Sequence, residues 1–134
     1  MTDPHLLFAP GLIALVVLAA LLHEFRGSPR PRTEADKRAL ALLRSWLTPE
    51  QEKQWAARYE FEVVGSDTGT RYRITGRAVM NVHELDLDGY PVKQWCFAPQ
   101  GGLAIGDVLL AQKIALETME RAALVVANCQ PARM

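Results

Sequence analysis

The sequence predicts an α+β protein with an N-terminal transmembrane helix, and three observations carry that prediction. An uncharged apolar run fills Leu6 to Leu22. Apolar residues recur at helical spacing over 34–59 and again after Asp107, and between these stretches the apolar period shortens toward two. The expected order is a transmembrane helix, a helical hairpin, a four-stranded antiparallel meander and a C-terminal covering helix. The chain divides accordingly into an anchor (1–25), a basic Pro/Arg linker (26–33), an α+β domain (34–128) and a tail (129–134).

The run LLFAPGLIALVVLAALL has seventeen residues and no charge. As a helix it spans about 25 Å, against a hydrocarbon layer of roughly 30 Å. Asp3-Pro4 supplies a cap and first turn, and continuation to Phe25 gives a sufficient length. Its membrane-anchor residues are expected to be Leu6, Leu7, Phe8, Leu12, Ile13, Leu15, Val16, Val17, Leu18, Leu21 and Leu22. Pro10 and Gly11 allow a bend near the first third. No Lys or Arg precedes the run, which argues against a cleaved signal peptide. Arg26, Arg30 and Arg32 follow it, so the positive-inside rule predicts a single-pass protein of the inner (cytoplasmic) membrane, N-terminus outside and domain in the cytoplasm. The same arginines are candidate contacts for anionic lipid.

With 134 residues and a formal net charge of zero, the chain can bury one modest core and lacks the basic excess of a nucleic-acid binder. Cys96 and Cys129 are far apart and form no Cys-x-x-Cys pair, as expected of free cytoplasmic thiols.

Thr33 precedes acids at Glu34 and Asp36, and an apolar stripe of Ala39, Leu40, Leu42, Leu43, Trp46 and Leu47 predicts a helix over 34–47. Thr48-Pro49-Glu50-Gln51 is a capping box with proline at the first helical position, opening a second helix that runs to about Tyr59. Strands are expected at 61–64 and 71–74 around the turn Gly65-Ser-Asp-Thr-Gly-Thr70. A third runs from Ala78 to Leu87, with a bulge between Val82 and Leu85, and a fourth returns over 92–97 after Asp88-Gly89. Asp107 is read as the cap of a helix reaching Asn128. Its stripe Val108, Ala111, Ala115, Met119, Ala122, Ala123 and Val126 is expected to pack on the sheet, with Lys113, Glu117, Glu120 and Arg121 facing water. The spacing of Trp46, Trp55 and Trp95 places all three in the core.

The segments Ser45-Trp-Leu-Thr-Pro-Glu-Gln51, Gly65-Ser-Asp-Thr-Gly69, Tyr72-Arg-Ile74, Asn81-Val82, Cys96 with Pro99, and Gly106-Asp-Val-Leu-Leu-Ala-Gln-Lys-Ile-Ala-Leu-Glu-Thr118 together resemble a small uncharacterised bacterial domain. The resemblance covers about Ser45 to Asn128 and implies no activity. It suggests a general module, here preceded by a membrane helix.

Few residues of the chain fall into a recognisable catalytic or ligand pattern. The Gly65–Thr70 loop lacks the Lys-Ser/Thr of a P-loop and reads as a hairpin turn. Ser66 with Asp67 and His83 lacks a nucleophile elbow. Glu84, Asp86, Asp88 and Gly89 resemble the front of a calcium loop, but Trp95 stands where the bidentate Glu belongs. His83 and Cys96 fall short of a four-ligand zinc site, and the Cys-x-Cys and Cys-x-His pairs of a SWIM-type finger are missing. Arg71 and Arg73 should leave one sheet face as a small basic patch.

No catalytic, cofactor or metal residues are therefore assigned, and no enzyme is expected. The leading expectation is a membrane-tethered protein-interaction module, an accessory or structural subunit of a larger integral membrane protein complex, with the bilayer itself as a partner. The first alternative is a binding module for anionic lipid or nucleic acid, with the charge balance pointing away from nucleic acid, using Arg26, Arg30, Arg32, Arg71 and Arg73. The second is a small hydrolase acting through Ser66 or Cys96.

Overall fold

A computed structural model describes residues 31–132. In chain order these form α1 (Glu34–Trp46), α2 (Pro49–Arg58), β1 (Glu60–Val64), β2 (Arg71–Thr75), β3 (Val82–Leu85), β4 (Pro91–Cys96), α3 (Ile105–Val125) and β5 (Asn128–Pro131). The strands make one antiparallel sheet in the order β1-β2-β3-β4-β5.

Local chemistry explains most element starts. Thr33 accepts the N–H of Asp36, whose carboxylate accepts the N–H of Thr33, and Thr48 and Gln51 repeat the reciprocal pair at α2. The N–H groups of Arg32 and Thr33 hold the Asp36 carboxyl below its usual range. Tyr59 ends α2 in the left-handed conformation and turns the chain into β1. The register shifts between Glu84 and Leu85, inside the span where the broken alternation predicts a bulge.

The core lies between the inner sheet face and the helices: Phe61, Val63, Tyr72, Ile74 and Val82 from the sheet, Leu43 from α1, Trp55 from α2, and Leu109, Leu110 and Leu116 from α3. The helical hairpin does not pack as a pair. The principal contacts of α1 are with α3, and those of α2 are with β1. Gly106 makes the first of these possible, because a Cβ there would stand 2.3 Å from the Ala39 carbonyl carbon. A buried amide pair ties α3 to the sheet: Asn81 Nδ2 donates to Gln112 Oε1 at 2.7 Å, and Gln112 Nε2 donates to Asn81 Oδ1 at 3.0 Å and to the Phe97 carbonyl at 2.6 Å.

The expected architecture is corrected in two respects. The sheet has five strands rather than four, because Asn128–Pro131, expected as helix end and tail, pairs with β4. And among the described residues no helix is long and apolar enough to cross a membrane. The longest, α3, carries Asp107, Lys113, Glu117, Glu120 and Arg121. The single-pass transmembrane description is accordingly not retained. The run Leu6–Leu22 on which it rested lies outside the described residues, as do Arg26 and Arg30.

Three side chains also depart from expectation. Trp46 is 56% exposed, whereas Trp55 is buried. Lys113 and Glu120, expected in water, are buried on the side of α3 that carries Leu109 and Leu116. Lys113 pairs with Glu117 at 2.6 Å, one helical turn on.

Gly106→Ala tests the α1–α3 approach. Helix propensity alone predicts a gain of about 1 kcal/mol. Contact with the Ala39 backbone predicts instead a net loss of about 2 kcal/mol, read as a lower urea midpoint. A raised midpoint would show that the helices do not approach so closely.

Candidate functional site

Two neighbouring features of α3 form the candidate site: a buried polar junction with the β1–β2 loop, and an apolar groove along the alanine stripe.

The junction exists because α3 is interrupted. Met119 has φ −150° and ψ 47°, so the helix consists of two pieces joined there. A break frees backbone groups that need partners. The loop supplies them. Ser66 N–H donates to the Leu116 carbonyl at 3.0 Å, Ser66 Oγ accepts the Glu120 N–H at 3.3 Å, and Asp67 Oδ2 accepts the Arg121 N–H at 2.9 Å. Ser66 and Asp67 thus act as N-cap residues for a helical piece 54 positions further along the chain.

The Glu120 carboxylate completes the junction. It is fully buried. Its Oε2 accepts the N–H groups of Asp67 and Thr68, each at 2.8 Å. Its Oε1 accepts the hydroxyls of Thr68 and, at 2.7 Å, Tyr72. Burial by itself raises the carboxyl's pKa, but the hydrogen bonds from Thr68, Tyr72 and the two backbone N–H groups outweigh it and hold the group below its usual range. The Tyr72 hydroxyl is pushed upward, first by burial and then by its bond to Glu120 and the carboxylate's charge. Gly65 leaves the carboxylate room, since a Cβ there would lie 2.3 Å from the Glu120 carboxyl carbon. The junction has acceptors and donors matched, and its chemistry is structural.

The groove, about 280 Å³, runs between α3 and the chain leaving β4. Phe97, Ala98 and Pro99 form one wall, and Ala111, Ala115, Met119, Ala122 and Val126 form the other. Of the stripe expected to pack on the sheet, Ala123 is buried, whereas Ala111, Ala115, Met119, Ala122 and Val126 form a groove wall; Met119 is 54% and Val126 77% exposed. No residue lining it is charged.

The other singled-out residues lie elsewhere. Arg71 and Arg73 share the outer sheet face as expected, but each donates to Glu62 at 2.9 Å, and Arg73 also approaches Glu60 at 3.7 Å. Burial raises the Glu62 pKa, and the two guanidinium partners more than reverse that. His83 stands opposite Arg73. Burial, with Arg73 and Arg77 nearby, holds its imidazole below the usual range. Ser66 and Asp67 are spent as caps rather than aligned with His83. Cys96 faces Asn128 across the β4–β5 pair, and both cysteines are free. Among the described residues no group of three His, Cys, Asp or Glu side chains is placed to hold a metal ion. Arg32 is exposed. Glu120 was missed by the periodicity; the signal that could have found it is Tyr72, whose strand position buries a hydroxyl in need of a partner.

No family model, no curated protein and no solved structure matches the chain.

Glu120→Gln tests the junction. An amide turns an N–H group toward donors that need an acceptor, so the variant should lose about 2 to 4 kcal/mol at neutral pH. Since the folded pKa of Glu120 lies below the ordinary glutamate value of 4.5, its stabilisation is complete above that value. It is lost as pH falls through the folded pKa. The gap between the parent and Glu120→Gln urea midpoints should therefore be widest near neutrality and shrink on acidification. A gap independent of pH would contradict a charged, hydrogen-bonded Glu120.

Proposed function

We propose that this domain is a protein-interaction module, an accessory or structural subunit that docks a helix of a larger protein assembly in the α3 groove. The observation that carries this reading is the groove itself, whose walls expose apolar side chains and no charge. Alanines along α3 let another backbone approach closely, while Phe97, Met119 and Val126 offer larger side chains for contact. An uncharged apolar helix face is the matching occupant, the helix-in-groove mode of recognition. A charged segment would lose hydration there without gaining a partner.

The alternative of a basic binding face gains no support from Arg71 and Arg73. Glu60 and Glu62 neutralise them locally, and charge already paired contributes little counterion release.

The test places a photo-cross-linking amino acid at Ala115 in the full chain, with Lys53 as the control position, and identifies adducts from intact cells by mass spectrometry. The expected result is an adduct at Ala115 alone, mapping to an apolar helical segment of another protein, and its loss in an Ala122→Arg background with unchanged circular dichroism. Equal adducts at both positions, a second copy of this chain as the adduct, or survival of the adduct in Ala122→Arg would each overturn it.

A further inference from the structure

The groove is built on both sides of the break in α3. Ala111 and Ala115 belong to the piece before Met119, Ala122 belongs to the piece after it, and Met119 lines the groove at the joint. The two pieces are held differently. The first is anchored by core contacts through Leu109, Leu110 and Leu116 and by the Gln112–Asn81 amide pair. Beyond Glu120, the second buries only Ala123 and lays Leu124 against the core before the chain enters β5, and it exposes Ala122, Val125 and Val126. Its named polar attachments run to a single loop, Gly65–Thr70, and to Tyr72 beside it.

We propose that the β1–β2 loop is a latch that sets the second half of the groove, with Glu120 as the bolt and Thr68 and Asp67 as the catch. Three observations meet in it. The backbone break at Met119 loosens the coupling between the pieces, because the Leu116 carbonyl and the N–H groups of Glu120 and Arg121 beside it bond to the loop. The loop caps the second piece from outside, so capping and loop position are one event. The loop's own groups are accessible, with Ser66, Asp67, Thr68 and Gly69 all exposed. Anything that engages their side chains competes with the caps. Releasing the loop uncaps Glu120 and Arg121 and strips donors from a buried carboxylate, which favours movement of the second piece and reshapes the wall formed by Ala122 and Val126. Regulation of docking rests on the groove reading above, while the latch stands on the junction's geometry.

Hydrogen exchange followed by mass spectrometry on the full chain tests it. Thr68→Ala removes one donor from Glu120, and Asp67→Ala removes only the cap of Arg121, so the second variant serves if the first does not fold. The expected result is exchange roughly tenfold faster for the amides of Glu120–Val125. The amides of Leu109–Leu116 should stay within about twofold of the parent. Acceleration of both pieces together would show one rigid helix and overturn the latch, as would no change in either. The Ala115 adduct decides docking separately: its absence from the unsubstituted protein sinks the groove reading, and the exchange pattern still decides the latch.

Discussion

A carboxylate removed from water loses several kcal/mol of hydration, and Glu120 recovers it without a countercharge. All its hydrogen-bond donors are neutral: two backbone N–H groups and the hydroxyls of Thr68 and Tyr72. Neutral donors must converge closely to hold a buried charge, and this requirement fixes much around them. The loop must present consecutive N–H groups to one oxygen. Gly65 must lack a side chain, because the carboxylate occupies the space a Cβ would need. Tyr72 must lie on the inner sheet face, and its pairing with Val63 and Glu84 puts it there. The β1–β2 hairpin is therefore positioned as much by the helix above it as by its own turn.

The same constraint shapes α3. The piece before Met119 follows the core through Leu109, Leu110 and Leu116, and the piece after it is held by Ala123 and Leu124 and by the loop that caps it. Because the buried side is occupied by leucines and by satisfied polar groups, Ala111, Ala115 and Ala122 are left toward the groove. That arrangement separates two kinds of surface. The outer sheet face carries Glu60, Glu62, Arg71 and Arg73, whose charges cancel within the face. The groove carries no charge, so its exposed area gains free energy only by being covered.

Most elements whose signals are local were legible in the sequence, although α3 begins at Ile105 after Ala104, and Asp107, expected as its cap, lies in its first turn. Thr33 and Thr48 cap helices with partners three residues on, and Asp88-Gly89 makes its hairpin with Gly89 at φ 88°. What failed depends on partners distant in the chain. Glu120 and Lys113 read as solvent-facing because periodicity counts polarity and cannot count satisfaction; donors 48 to 53 positions away bury Glu120. Alanine and methionine drew the predicted packing face around the helix to the groove side. Asn128–Pro131 offers, besides its terminal proline, only Cys129 as an apolar side chain, is too short to alternate visibly, and becomes a strand only because β4 offers it an edge. In the candidate site, Ser66 and Asp67 stood out as reactive types in a turn. Their role as caps of a remote helix carried no local mark.

The sheet edges bear on the proposed docking in the groove. Along β1, Gln54 Oε1 accepts the Glu62 N–H at 2.9 Å and Gln51 Nε2 donates to the Glu62 carbonyl at 2.8 Å, so side chains of α2 take the place of a neighbouring strand. At the other edge, the Ala132 N–H donates to the Val92 carbonyl. Antiparallel alternation then turns the backbone groups of Asn128 and Gln130 toward β4 and those of Cys129 and Pro131 outward. Pro131 brings no N–H to that edge, which leaves a short strand poorly equipped to add another. One edge is plugged and the other blunted. A partner that binds this domain by backbone pairing would have to displace Gln51 and Gln54 or accept an edge missing a donor. A helix entering the groove meets neither obstacle, and it covers apolar surface that the fold itself leaves in water.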